Sequence, residues 1–357
     1  MKRFNSIATL ILAGAALVSL AGCQEKERIA RGRAVSFKVS STSHETKAVY
    51  SNTAGGGYER IDWQNGDAIR IYCAAAKYGI ENSNSAPTLG GDQDQKYADY
   101  SISGVTDDGR YSDAKINSST GSDGKQLLWG DNVQHDFYAV YPKPAGGGVV
   151  TGINGKTITG TVKASQNGDG RFSDGMVMVA QNSIANPQGL TDDFKDDVFL
   201  QFQPITTAIK FSITNGENTN ITVSSVELLS DSHPLSGDFS YNIGEGKIKD
   251  LSITDAEKKV SIGSTKTLTA DKGNTYEFTF HLRPDDDLDD LSIVVTTSTG
   301  IKYTSKLQTD GAAHTFARGT KTYISGVILK KWLTLQSISF LTVDIRDDIE
   351  VEEEILF

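Results

Sequence analysis

The chain has 357 residues, 38% of them apolar, with 35 lysines and arginines set against 45 aspartates and glutamates. That apolar share supports packed cores and excludes wholesale disorder, and the length leaves room for two domains. A net charge of −10 excludes the wrapping of nucleic acid, and two cysteines, Cys23 and Cys73, exclude a disulfide-stapled scaffold or a cysteine-rich metal site.

Lys2 and Arg3 precede an apolar run from Ile7 to Leu20, 14 residues long, which is too short to span a bilayer as a helix and reads as an export signal. The sequence Leu20-Ala21-Gly22-Cys23 resembles a bacterial lipobox, which implies a signal peptide over residues 1–22 and lipidation of Cys23 as the first mature residue. The alternative is an ordinary secretory signal with an incidental cysteine. Acyl chains contribute about 0.8 kcal/mol per buried methylene, so several of them anchor a protein firmly. Residues 1–22 carry two positive charges and no negative ones, so the mature net charge falls from −10 to −12.

Next comes a polar leash, then Val35, Phe37 and Val39 on one face, alternating with Ser36, Lys38 and Ser40. This period of two predicts a half-buried strand. The same alternation recurs at Ile209, Phe211 and Ile213, at Tyr276, Phe278 and Phe280, and at Ile293 and Val295. Turn clusters such as Asn65-Gly66-Asp67, Gly146-Gly147-Gly148 and Asn154-Gly155 separate such segments. Short strands punctuated in this way predict an all-β chain of two tandem antiparallel β-sandwiches. The expected seam is the polar stretch 182–197, before the apolar restart at Val198-Phe199-Leu200. The expected organisation is a leash and first-strand segment at 23–47, an N-terminal sandwich at 48–195 and a C-terminal sandwich at 196–357. Cys73 shares a face with Ile69 and Ile71, which predicts a buried, inert thiol.

Chemistry-bearing patterns are scarce. The five histidines are scattered without a His-x-x-x-His pair, and no Gly-x-Ser-x-Gly elbow is present. Gly155-Lys156-Thr157 lacks the upstream glycine of a phosphate loop, since Val150 stands there. Asn167-Gly168-Asp169-Gly170-Arg171 and the acidic run Asp285 to Asp290 lack calcium-loop spacing. No enzyme activity, cofactor or metal site is therefore expected. Tyr78, Tyr97, Tyr100 and Tyr111, expected in loops, motivate an alternative reading as a monomeric surface lipoprotein that binds glycan or host protein.

Several segments in order resemble the fimbrillin family, lipoprotein-derived pilins of anaerobic Gram-negative bacteria. They are Thr46-Lys47-Ala48 followed by Trp63-Gln64-Asn65-Gly66-Asp67-Ala68-Ile69; Phe137-Tyr138-Ala139-Val140-Tyr141-Pro142; Val198 to Pro204 with Ala208 to Phe211; and Leu235-Ser236-Gly237-Asp238-Phe239 with Tyr323-Ile324. The resemblance implies transthyretin-like sandwiches, export as an outer-membrane lipoprotein, and assembly into a cell-surface fimbria that supports adhesion. It further implies cleavage by a trypsin-like protease between Lys47 and Ala48, loss of the strand carrying Val35, Phe37 and Val39, and replacement by a strand from another subunit. The implied partners are fimbrial subunits, the outer membrane, the protease and a host or bacterial surface receptor. Lys47 stands where the family usually has arginine, and the tail after Lys330 departs from the family's commonest ending.

In the tail, Leu341, Val343, Ile345, Ile349 and Val351 share one parity, which makes 341–357 a candidate donor strand. The other reading of the same alternation is the last strand of the chain's own C-terminal sandwich. From residue 341 onward there are seven acids and one arginine.

Overall fold

The computed structural model describes residues 33–40, 50–52, 58–61, 63–81, 88–89, 94–106, 111–116, 124–168, 175–185, 197–249, 255–270, 274–284, 288–309, 312–329 and 339–345. Cys23, Lys47, Ala48, Ile349 and Val351 lie outside them. Among the described residues every regular element is a strand, apart from one turn of 3-10 helix at Asp255–Lys258.

The first core is built on an eight-stranded sheet. Its order is Asp197–Gln201, Ser36–Ser40, Tyr111–Ile116, Tyr97–Ser103, Ala68–Tyr72, Gln134–Tyr141, Met178–Ala185 and Gln203–Pro204. A small sheet of Thr88–Leu89, Lys77–Ile80 and Gln126–Leu128 lies beside it. Phe37, Trp63, Ile71, Tyr100, Leu127, Phe137 and Leu200 are buried together in this core.

The Trp63 to Ile69 motif has a clear physical role here. Gly66 takes a left-handed φ of 95°, which glycine reaches without a Cβ penalty. Asp67 accepts hydrogen bonds from the Gln64 backbone (2.9 Å) and the Tyr141 hydroxyl (3.0 Å). Trp63 meets Tyr141 and Phe202 edge-on at 5.3 and 5.1 Å, and Ile69 then enters the core. The turn thus fixes where the Ala68–Tyr72 strand begins.

The Gln134–Tyr141 strand is buried on both faces along its second half. Phe137, Ala139 and Tyr141 face the first core. Tyr138 and Val140 join a second cluster with Val150, Ile158, Phe239 and Tyr241 from a four-stranded sheet of Val150–Asn154, Thr157–Val162, Gly237–Asn242 and Lys247–Lys249. Close approach there requires Gly160, since a Cβ on it would lie 2.4 Å from the Phe239 ring.

A third cluster joins two six-stranded sheets. One contains Thr207–Asn215, Thr275–Leu282 and Thr320–Leu329, and the other contains Ile221–Leu229, Lys259–Gly263 and Ser292–Thr297.

Three features differ from the tandem antiparallel arrangement expected from the sequence. Among the described residues four strand pairs are parallel, including Ser36–Ser40 with Asp197–Gln201 and Thr207–Asn215 with Thr320–Leu329. The restart at Val198 does not open the second half either, because Val198, Leu200 and Phe202 belong to the first core. Tyr58–Ile61, from the first half, joins the sheet that holds Ser339–Ile345. Alternation identifies a strand's buried face but not the sheet it enters, so the sequence could not reveal this interleaving.

Candidate functional site

The segment from Arg33 to Ser40 stitches two sheets together. Its first residues pair with the small sheet: the Val35 amide donates to the Leu127 carbonyl and the Trp129 amide to the Arg33 carbonyl, both at 2.9 Å. Ser36–Ser40 then crosses into the large sheet, antiparallel to Tyr111–Ile116 and parallel to Asp197–Gln201. The strand is therefore interior, hydrogen-bonded on both sides. Val35, Phe37 and Val39 are 2%, 2% and 0% exposed, so all three point fully into the core. The Phe37 ring sits edge-on to Tyr100 (5.1 Å) and Phe137 (5.4 Å). Fully burying three such side chains stabilises the fold by about 5–8 kcal/mol.

The opposite face of this strand carries charge. Lys38 donates to Asp113 on one neighbouring strand and lies 4.0 Å from Asp197 on the other. Ser36 donates to Asp197, and Lys115 approaches Asp113 at 3.1 Å. The hydrogen bond with Asp113, outweighing partial burial, raises the Lys38 ammonium pKa; the bonds from Lys38 and Lys115 lower that of Asp113. Sequence reasoning missed this clasp. Lys38 was visible as an outward residue, but Asp113 and Asp197 come from distant segments brought alongside only by the pairing.

Leu341, Val343 and Ile345 fall within Ser339–Ile345, which pairs antiparallel with Thr320–Leu329 and, through Asp344 and Ile345, parallel with Tyr58–Ile61. The described part of the tail thus forms a ladder within its own chain.

Other sequence candidates resolve clearly. Cys73 is fully buried, and burial pushes its thiol up to about 11. Tyr78, Tyr97, Tyr100 and Tyr111 lie in strands, not in the loops expected for them. Tyr100 is buried, and its hydroxyl accepts the Leu127 amide at 3.0 Å. Tyr97 covers the Arg70 guanidinium at 4.1 Å. Tyr111 is exposed and lies 6.2 Å from the exposed ring of Phe199.

Asp289 and Asp290 stand near His233, at the end of the acidic run. Both oxygens of Asp290 are already engaged, by the hydroxyls of Ser230 and Ser232 and the amides of Asp231 and Ser232, so this carboxylate anchors a turn. Partial burial would raise its pKa, but these hydrogen bonds outweigh that effect and lower it. His135 is buried against Trp129 and Phe137, and its Nε2 accepts the Gly130 amide at 3.0 Å.

The sequence profile of one family, described as fimbrillin-like, matches residues 46–347. The chain belongs to the fimbrillin-like family. Membership gives it the role of a fimbrial subunit at the cell surface, acting with other fimbrial subunits, and points to a structural, non-enzymatic protein. A crystal structure of a candidate cell adhesion protein from Bacteroides ovatus superposes with a TM-score of 0.54 at 13% identity, covering 89% of this chain and 99% of that one. Another, from Bacteroides uniformis, reaches 0.48 at 17% identity, covering 87% and 98%. At such identities the first likeness shows a shared fold. Comparison with curated proteins gives no match.

Proposed function

We propose that this fimbrillin-like chain is exported as an outer-membrane lipoprotein on Cys23, cut by a trypsin-like protease between Lys47 and Ala48, and polymerised by donor-strand exchange in support of adhesion. The excised piece carries Val35, Phe37 and Val39. A strand from another subunit takes the place of Ser36–Ser40, and the segment 341–357, with Leu341, Val343, Ile345, Ile349 and Val351, is this chain's own candidate donor.

The observation that carries the reading is the position of the segment 35–40: Ser36–Ser40 is an interior strand, and Val35 before it and Phe37 and Val39 within it are each exposed by 2% or less. Excision would open an apolar slot and leave backbone donors and acceptors unpaired on the strands to either side, an arrangement that recruits another extended chain. The loss of about 5–8 kcal/mol compares with a domain stability of about 5–15 kcal/mol, so an unfilled sheet would be marginal. The cut piece, residues 23–47, carries six basic and three acidic residues, so its departure makes the remainder still more acidic.

Digestion of the purified lipoprotein with a trypsin-like enzyme should yield detergent-resistant, heat-labile ladders on a gel. Discrete monomer after complete loss of residues 23–47 would overturn the assembly reading. A second reading, capture of glycan by the monomer, rests on the exposed Tyr111 and Phe199 pair. Glycan binding by uncut monomer, abolished when both rings are replaced by alanine, would favour it.

A further inference from the structure

The inner face of Ser36–Ser40 explains why a strand is needed there, and its outer face says which strand. Lys38 is flanked by carboxylates on both neighbouring strands, Asp113 on Tyr111–Ile116 and Asp197 on Asp197–Gln201. Asp113 is also met by Lys115, on its own strand, whereas among described cations only Lys38 is seen to approach Asp197. Removing the first strand takes away the cation and leaves two acids facing each other across an empty lane. Like charges on neighbouring strands destabilise a sheet, and opposite charges stabilise it. The lane therefore discriminates among incoming strands by charge as well as by apolar pattern.

The chain's own tail is a poor match. A strand entering this slot must present apolar residues at the two inward places held by Phe37 and Val39, with one outward residue between them. In the segment 341–357 the pairs that meet this requirement are Leu341 with Val343, Val343 with Ile345, Ile349 with Val351, and Ile355 with Phe357. The residue between them is Thr342, Asp344, Glu350 or Leu356 respectively, and none is a cation. The single basic residue, Arg346, is followed by Asp347, so seating Arg346 between the carboxylates would bury an acid in the core. This holds whichever way the incoming strand runs.

Resting on the donor-strand reading above, we infer that the vacated slot selects a strand of a different subunit, one carrying a lysine or arginine between two inward apolar residues, and that it disfavours a second copy of this chain. In a fibre this ranks the chain's own tail below such a strand, so copies of this chain join one another when no better donor is present and alternate with other subunits when one is. The clasp is half-exposed, so its contribution is screened by salt, and selection is sharpest at low ionic strength.

The test uses the full chain with a site-specific protease sequence replacing residues 43–46, nicked after folding and mixed with fluorescent peptides that compete for the slot. A peptide of residues 33–40 should bind, and its Lys38→Glu version should bind on the order of tenfold more weakly at low salt. The gap should narrow at about 0.5 M salt and vanish when the nicked chain carries Asp113→Asn with Asp197→Asn. A peptide of residues 341–351 should bind more weakly than 33–40 and gain affinity with Asp344→Lys. If the lysine and glutamate peptides bind equally at low salt, or the tail peptide binds as tightly as 33–40, charge selection is overturned while strand exchange stands. If no peptide enters the nicked chain, strand exchange itself fails, and the selection falls with it.

Discussion

Replacing Phe37 with alanine tests whether the first strand contributes as much to the core as its burial implies. The ring is 2% exposed and packs edge-on against Tyr100 at 5.1 Å and Phe137 at 5.4 Å, so truncation leaves a cavity that neither rigid neighbour can fill. Phenylalanine-to-alanine changes in cores cost about 3–5 kcal/mol. With a urea dependence of about 2–3 kcal/mol per molar, the unfolding midpoint should fall by about 1–2 M at unchanged slope. Tryptophan fluorescence reports on the right region, because Trp63 and Trp129 both lie in the first core and Trp129 meets Phe137 at 5.7 Å. The companion change Lys38→Ala, on the outward face of the same strand, should cost less than about 1 kcal/mol. A Phe37→Ala midpoint within about 0.3 M of the parent, again at unchanged slope, would refute the claim that this strand holds the sheet together.

Three further expectations concern other sites. Cys73, buried and with its thiol pushed up to about 11, should resist alkylation at pH 8 in the folded chain and react at once in urea. Burial lowers the His135 imidazole pKa below its ordinary 6.5, with Asp136 partly opposing. Between the two values the unfolded chain holds more protons, so stability should drop as pH falls below 6.5, and His135→Phe should flatten that drop in urea titrations at stepped pH. Asp290→Ala removes four hydrogen bonds from the Ser230–Ser232 turn and should cost about 1–3 kcal/mol in thermal melts. Because the folded carboxyl is lowered, the stability it provides is present above its ordinary value of 3.8 and is lost as pH falls through the lower folded value. An Asp290→Ala chain with unchanged acid sensitivity would remove this carboxylate from the account.

Much of the first core was legible because a strand's alternation fixes its buried face. Val35, Phe37 and Val39, Ile69 with Ile71, and the Trp63 turn could be read locally, since each depends on neighbours a few residues away. The Phe137 to Tyr141 run was harder, because burial on both faces erases the alternation. Tyr100 looked like a loop aromatic but is a strand residue whose hydroxyl is satisfied by Leu127, a partner that only tertiary pairing supplies. The same holds for the clasp on Lys38. Its partners are set by register across strands that lie far apart in the chain, and nothing near position 38 names them.

The parallel seat of the first strand also constrains when the sheet can close. Ser36 and Asp197 are 161 residues apart, so the lane beside Ser36–Ser40 does not exist until more than half of the polypeptide has been made. Closing so long a loop makes this pairing a late, slow step in folding, because entropy is lost before the contacts compensate. If the proposed excision at Lys47 takes place, it is productive only after that closure, since a cut made earlier would meet a sheet still under construction.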